Sequence, residues 1–260
     1  MNLRSQINPQ YSYHQINREE RNLTAIFYHA LLIGDNLKIF LEDIKCKFSL
    51  IENQTGIYFE YAYPRDLWNK INHQGDEFKR KLILDLLQPS NRQELESKSI
   101  FDFNTYFGCV PKPSSKEIQS PGNWSIGNFD SFINDNHEFS KVCEFKWCFN
   151  AKPDLVIHTS DETAICIEAK FESGEGKYPN SQNERKIFRR RQISLVGQLS
   201  IQKKIMDLLG ISTQFVFLVQ HKSLTHKKED DVLEITWKEA FANLELSSCP
   251  YFIKEWLKRI

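Results

Sequence analysis

Two charged residues interrupt an otherwise apolar stretch, Thr163-Ala164-Ile165-Cys166-Ile167-Glu168-Ala169-Lys170. In a β-strand, alternation puts Glu168 and Lys170 on one face and Ile165, Ile167 and Ala169 on the other. Asp154 opens the preceding apolar run, Asp154-Leu155-Val156-Ile157-His158, directly after Pro153. Between the runs lies Thr159-Ser160-Asp161-Glu162, a turn-forming cluster. A hairpin folded symmetrically about Asp161 sets Asp154 across from Glu168, with side chains about 5 Å apart. A slip of one residue would send the two acids to opposite faces. Two carboxylates that close repel each other unless a cation lies between them. Oxygen ligands with no His or Cys partner favour Mg²⁺ or Mn²⁺. A lysine two residues along can hold a water and stabilise developing negative charge. The set suits metal-assisted hydrolysis of a phosphodiester. Glu168 and Lys170 alone read equally well as a polar strip at a strand's solvent end; Asp154 at the matching hairpin position favours the chemical reading.

Hydrophobic spacing indicates the elements that must carry these residues. Leu23, Ile26, Phe27, Ala30 and Leu31 recur at helical intervals before Gly34, which predicts an amphipathic helix over 18–33. A second helix is expected over 76–88, ending before Pro89. Residues 89–128 carry four of the nine prolines and three of the ten glycines, so they read as mostly irregular, pinned down by Phe101, Phe103, Tyr106, Phe107 and Trp124. Val142–Phe149 alternates as a strand, Asp154–His158 is a second and Thr163–Phe171 a third. After a polar loop, Ser173–Asn183, one long helix is expected from Glu184 to Leu209, stopping at Gly210. Thr213–Gln220 is apolar on both alternating faces, as in a central strand. The order is helix, three strands, helix, strand: an α/β fold around a mixed sheet.

Composition sets limits. The chain has 260 residues, 40% of them hydrophobic, enough for a sizeable core. Lys plus Arg and Asp plus Glu both number 34, so a uniformly basic coat for nucleic acid is excluded and any such surface must be local. No apolar run approaches the roughly 18–20 residues of a membrane span, and Met1–Gln6 has no apolar core of a signal peptide. A soluble, cytoplasmic chain with no membrane partner is expected. The cysteines at 46, 109, 143, 148, 166 and 249 form no CxxC pair and no Cys/His cluster, and read as reduced thiols. Gly174-Glu175-Gly176 lacks the third glycine and the strand-to-helix spacing of a dinucleotide site.

Pro153-Asp154, thirteen intervening residues, and Glu168-Ala169-Lys170 together resemble the PD-(D/E)XK nuclease superfamily. Its restriction-endonuclease-like core, α-β-β-β-α-β, is similar to the order read over 142–221 with the helix over 17–33 in front. The resemblance implies one nuclease-like domain over 1–260: first core helix 17–33, inserted or wrapping region 35–140, catalytic core 141–221, C-terminal strand and helices 231–260. It implies a Mg²⁺- or Mn²⁺-dependent nuclease in which Asp154 and Glu168 hold the metal, the Ala169 backbone carbonyl is a further ligand, and Lys170 assists the water. Members also carry a Glu early in the first helix. Glu20 fits, because Leu23 and Phe27 at i+3 and i+7 turn it toward the core side. Equally, Asn17 could cap that helix with Glu20 closing a capping box, leaving Glu19 as the substitute.

Arg185, Lys186, Arg189, Arg190 and Arg191 put five basic residues into seven positions of the long helix. Such a run can grip phosphates, with Arg185, Arg189 and Arg190 as substrate-binding residues; as a solvated helix face it would do nothing of the kind. Gln198 shares a helical side with Leu195, Leu199 and Gln202 and is the expected polar site contact. Gln202 stands where RecB-like members have a tyrosine, and the four-cysteine cluster of their iron–sulfur branch is missing. DNA is expected before RNA, as for most of the resembled family. A stand-alone chain without a sequence-reading module suggests a defence or restriction-type effector under a regulatory protein partner, and cutting both strands of a duplex needs two sites, hence a homodimer. The alternative is a catalytically silent module that binds nucleic acid or a protein.

Overall fold

A computed structural model describes residues 19–109, 116–171, 174–222 and 232–257. The chain divides into two compact units. The first comprises the residues up to Glu60, Pro153–Gly174, and those from Ser212 onward; the second comprises Tyr61–Lys152 and Glu175–Ile211. The strands are β1 (Gly56–Phe59), β2 (Leu155–His158), β3 (Thr163–Ala169), β4 (Lys177–Tyr178), β5 (Val196–Gly197), β6 (Ser212–Val219) and β7 (Val232–Thr236).

The first unit is an α/β layer built on a five-stranded mixed sheet of order β1-β2-β3-β6-β7. β2 is antiparallel to both β1 and β3, while β6 is parallel to β3 and β7 to β6. Helix α1 (Glu20–Leu31) forms because Leu23, Phe27, Ala30 and Leu31 fall on one stripe, and all four are buried. Gly34, at φ +49°, lets the chain turn into α2 (Asn36–Asp43). Buried Asn36 locks that corner: its amide group donates to the carbonyls of Ala30 and Glu245, and its oxygen accepts from the Glu245 amide. The apolar stripes of α1 and α2 pack with Leu155, Ile157, Ile165, Ile167, Ala169, Val216 and Leu218, and with Trp237 and Phe241 of the short helix Trp237–Phe241. Each such fully buried side chain stabilises the fold by about 1.5–3 kcal/mol.

The β2–β3 turn is closed by its own hydroxyls. The Thr159 and Ser160 amides donate to the Thr163 carbonyl, and the Thr159 and Ser160 hydroxyls both meet that of Thr163 at 2.7 Å. The register pairs Leu155 with Ile167 and Ile157 with Ile165. Its next step sets Asp154 opposite Glu168, as symmetry about Asp161 requires.

The second unit has its own aromatic core around Phe103, Phe107, Trp124, Phe129, Phe139, Phe145 and Phe188. It contains α3 (Asp76–Leu87), α4 (Asn136–Cys148), α5 (Gln182–Arg190) and α6 (Gln198–Leu208). Four expectations are corrected here. Val142–Phe149 is no strand; most of it belongs to α4, which opens where the Asp135 side chain caps the Glu138 amide at 2.7 Å. The third antiparallel strand is β1, from within the stretch read as a wrapping insertion. The single long helix is two, because the chain leaves α5 with Gln192 at φ +57° and α6 restarts after Gly197. Residues 89–128 hold the helices Arg92–Ser97, Ile100–Tyr106 and Ile126–Phe129 rather than irregular chain alone.

Candidate active site

The hairpin and α1 bring Asp154, Glu168, Lys170 and Glu20 together within the first unit. Asp154 lies just before β2. Its carbonyl accepts the Glu60 amide at 2.9 Å, and its Oδ2 accepts the Ala169 amide at 2.9 Å. In a strand the amide and carbonyl of one residue point the same way, so the Ala169 carbonyl is directed to the edge that carries Asp154. Glu168 is only 1% exposed and is paired with the Lys170 ammonium. Lys170 also reaches Glu20 Oε1 at 3.4 Å, and Glu20 Oε2 accepts the Phe171 amide at 2.9 Å. The Lys170 backbone is fixed on both sides: its amide donates to the Leu218 carbonyl at 2.7 Å, and its carbonyl accepts the Trp237 indole at 3.0 Å.

Glu20 therefore faces the site. The capping-box alternative involved Asn17, which lies outside the described residues; the N-cap of α1 is Glu19, and its side chain makes no capping bond. Sequence reasoning missed Glu60, which follows β1 in a left-handed conformation (φ +53°). The signal was there: a lone acid in the apolar run 56–63.

The cluster carries surplus negative charge. Burial acts most strongly on the Asp154 carboxyl and raises its pKa; Glu20 and Glu60 raise it further, while the Ala169 amide and Lys170 oppose them without winning. For Lys170, burial alone would lower the pKa, but Glu168, Glu20 and Asp154 outweigh it and the pKa rises. A carboxyl whose folded pKa is raised contributes stability that is full below its unfolded value and lost as pH rises through the folded one. Without metal, Asp154→Asn is thus expected to melt above the wild type at about pH 7, the gap closing toward about pH 4. Thermal melts across that range check it. A variant no more stable than wild type at neutral pH would show that Asp154 carries no charge penalty.

Among the described residues, no three or more His, Cys, Asp and Glu side chains are arranged to hold a metal ion. The donor set still fits a hard divalent cation. It is all oxygen, it is largely shielded from solvent, with Glu168 and Ala169 buried and Asp154 half-buried, and it is over-supplied with negative charge. Mg²⁺ commonly takes one or two carboxylates and completes its shell with water and substrate phosphate. Asp154, Glu168 and the Ala169 carbonyl are the atoms that would hold it.

The basic residues and Gln198 belong to the second unit. Arg185 Nε donates to the Pro179 carbonyl at 2.8 Å. Arg190 and Arg191 both hold Asp130, whose pKa they depress in spite of its burial. Arg191 also lies 4.1 Å from the Phe139 ring centroid. Lys186 and Arg189 are exposed. Gln198 opens α6, and its backbone N–H donates to the Gly176 carbonyl at 2.8 Å, while buried Gln202 lies one turn on. Leu195, expected on the same helical side, precedes the helix.

No protein-family model, curated protein or solved structure matches the chain. No helix among the described residues is long and apolar enough to cross a membrane.

Proposed function

We propose that the first unit is a restriction-endonuclease-like core of the PD-(D/E)XK kind and that the protein is a metal-dependent nuclease, acting on DNA before RNA. The observation that carries this reading is the hairpin register: it sets Asp154 against Glu168 while Lys170, two residues on, is held by Glu168 and Glu20. The order α1, β1, β2, β3, intervening helices and parallel β6 supports it as well. Bound Mg²⁺ or Mn²⁺ would supply Lewis-acid polarisation of a phosphoryl oxygen and a more acidic water. Asp154 and Glu168 would present the oxygens that hold the ion. Lys170, kept cationic by its acidic neighbours, donates toward the attacking water or the developing negative charge. Glu20 orients that ammonium, and its second oxygen is anchored on the Phe171 amide.

The test uses supercoiled plasmid, linear duplex, single-stranded DNA and RNA, each with Mg²⁺, Mn²⁺ or EDTA, beside the Glu168→Ala protein. Loss of one substrate is expected with metal only, and not with the variant. Equal cleavage by both proteins would end the assignment. Binding that persists in EDTA, with no cleavage under any condition, would favour the silent module. On the nuclease reading, a homodimer would supply the two sites that a double-strand cut needs.

A further inference from the structure

The proposed nuclease site leaves one task unassigned within its own unit, which is holding the substrate phosphate. Glu20, Glu60, Asp154 and Glu168 bring four carboxylates to it. Lys170 is already engaged by two of them and is only 12% exposed at its side chain. A phosphodiester approaching this cluster needs a cation with outward-facing donors.

Arg21 meets that description. It follows Glu20 in the first turn of α1, and its Nε donates to Glu60 Oε1 at 2.8 Å. The Arg21 side chain is 72% exposed, whereas that of Glu60 is 26% exposed. The Nε contact seats the guanidinium on Glu60, and the exposure of the side chain leaves it accessible to the phosphate oxygens that an arginine fork pairs with. Helix stability does not explain the residue. A cation in the first turn opposes the helix dipole, and an ion pair so exposed contributes little. Glu60 is in turn built into the site: its amide is bound to the Asp154 carbonyl and its charge acts on the Asp154 carboxyl. A left-handed backbone is a costly conformation for a residue with a side chain, and here it is kept where strand β1 delivers Glu60 to both Asp154 and Arg21.

We infer that Arg21, steered by Glu60, is the phosphate-binding residue of this site. The inference rests on the nuclease reading and names the residue by which that site takes its substrate. It is tested with a fluorescent DNA duplex and the matching single strand, with Ca²⁺ replacing Mg²⁺ so that binding is read without turnover, at several salt concentrations. Cleavage under Mg²⁺ is followed in parallel. Arg21→Ala is expected to weaken binding roughly tenfold and to reduce the slope of log affinity against log salt by about 1. Arg21→Lys keeps the charge without the fork, so it should keep the slope and recover only part of the affinity. Arg21→Gln serves if the alanine protein does not fold, and melting temperatures equal to wild type establish that the fold is intact. Unchanged affinity and slope in a folded variant, with wild type cleaving normally, would overturn the role of Arg21 alone. Wild type that neither binds nor cleaves any of the nucleic acids would overturn the nuclease reading and this inference with it.

Discussion

Lys170→Met is expected to cost about 3 kcal/mol of stability at neutral pH and to lower cleavage by roughly 10²- to 10³-fold. Methionine is close to the lysine stem in length and carries no charge, so the loss isolates the ammonium. Without it Glu168, 1% exposed, and Glu20 face each other with a buried charge uncompensated. The pH dependence separates this cause from a packing defect. Lys170 has a folded pKa raised above the ordinary lysine value. Its contribution is therefore full below about 10.4 and is lost only as pH rises through the folded pKa. Between the carboxylate range and about pH 10 the gap between wild type and variant should be flat. It should shrink on the acid side, as Asp154, whose carboxyl burial already holds above its ordinary pKa, takes up a proton in the variant. Urea unfolding at a series of pH values measures it. A gap under about 0.5 kcal/mol at neutral pH, or one unchanged in acid, would mean that the Lys170 contacts do not hold the cluster together.

How much of this was legible depended on range. The hairpin was, because everything that fixes it is local: Pro153 and the Thr159–Glu162 cluster bound two short apolar runs, and a period of two leaves a single register that buries Ile165 and Ile167 together. Glu20 was legible as a residue on the core side of α1, but a capping role was equally consistent with its position; only the long-range contact with Lys170 and the Phe171 amide separates the two. α4 was misread because Phe145 and Trp147 alternate with Glu144 and Lys146 and imitate a strand. Burial of Phe139, Val142, Cys143, Trp147 and Cys148 follows helical spacing instead, and the capping signal lay upstream, at Asp135 with Glu138 three residues on. The break after α5 carried a weaker signal, since Gln192 takes a left-handed turn with no glycine or proline at that position. β1 was hidden for a different reason. A four-residue edge strand has little periodicity of its own, and its partner β2 lies about a hundred residues later. Arg190, expected to meet phosphate, pairs with Asp130 beside Arg191, a contact no spacing rule reveals.

The constraint on the site whose removal should cost most comes from Trp237. Trp237 is fully buried, with its ring edge-on to Phe27 at 6.1 Å and stacked beside Phe241 at 6.3 Å. A capping box at Thr236 and Glu239 starts its helix directly after β7, so strand and helix together determine where the indole points. The indole N–H donates to the carbonyl of Lys170. Trp237→Ala is expected to destabilise the protein by about 3–5 kcal/mol, through lost burial and the cavity left behind. Trp237→Phe keeps most of the ring but leaves the Lys170 carbonyl without that donor, which should cost about 1–3 kcal/mol. The phenylalanine variant is the more informative one. With the Lys170 carbonyl released and its backbone held by the Leu218 carbonyl and the Phe171–Glu20 contact alone, its ammonium loses part of its fixed position, and displacement by an ångström can cost catalysis as much as about a hundredfold. Cleavage by folded Trp237→Phe should therefore fall by about tenfold or more, in kcat rather than in KM, because Trp237 is not among the groups proposed to meet substrate. Calorimetry with steady-state kinetics reads both effects. If Trp237→Phe lost stability yet kept full kcat, the indole would be part of the core alone, and the order around Lys170 would rest on its pairing with Glu168 and Glu20.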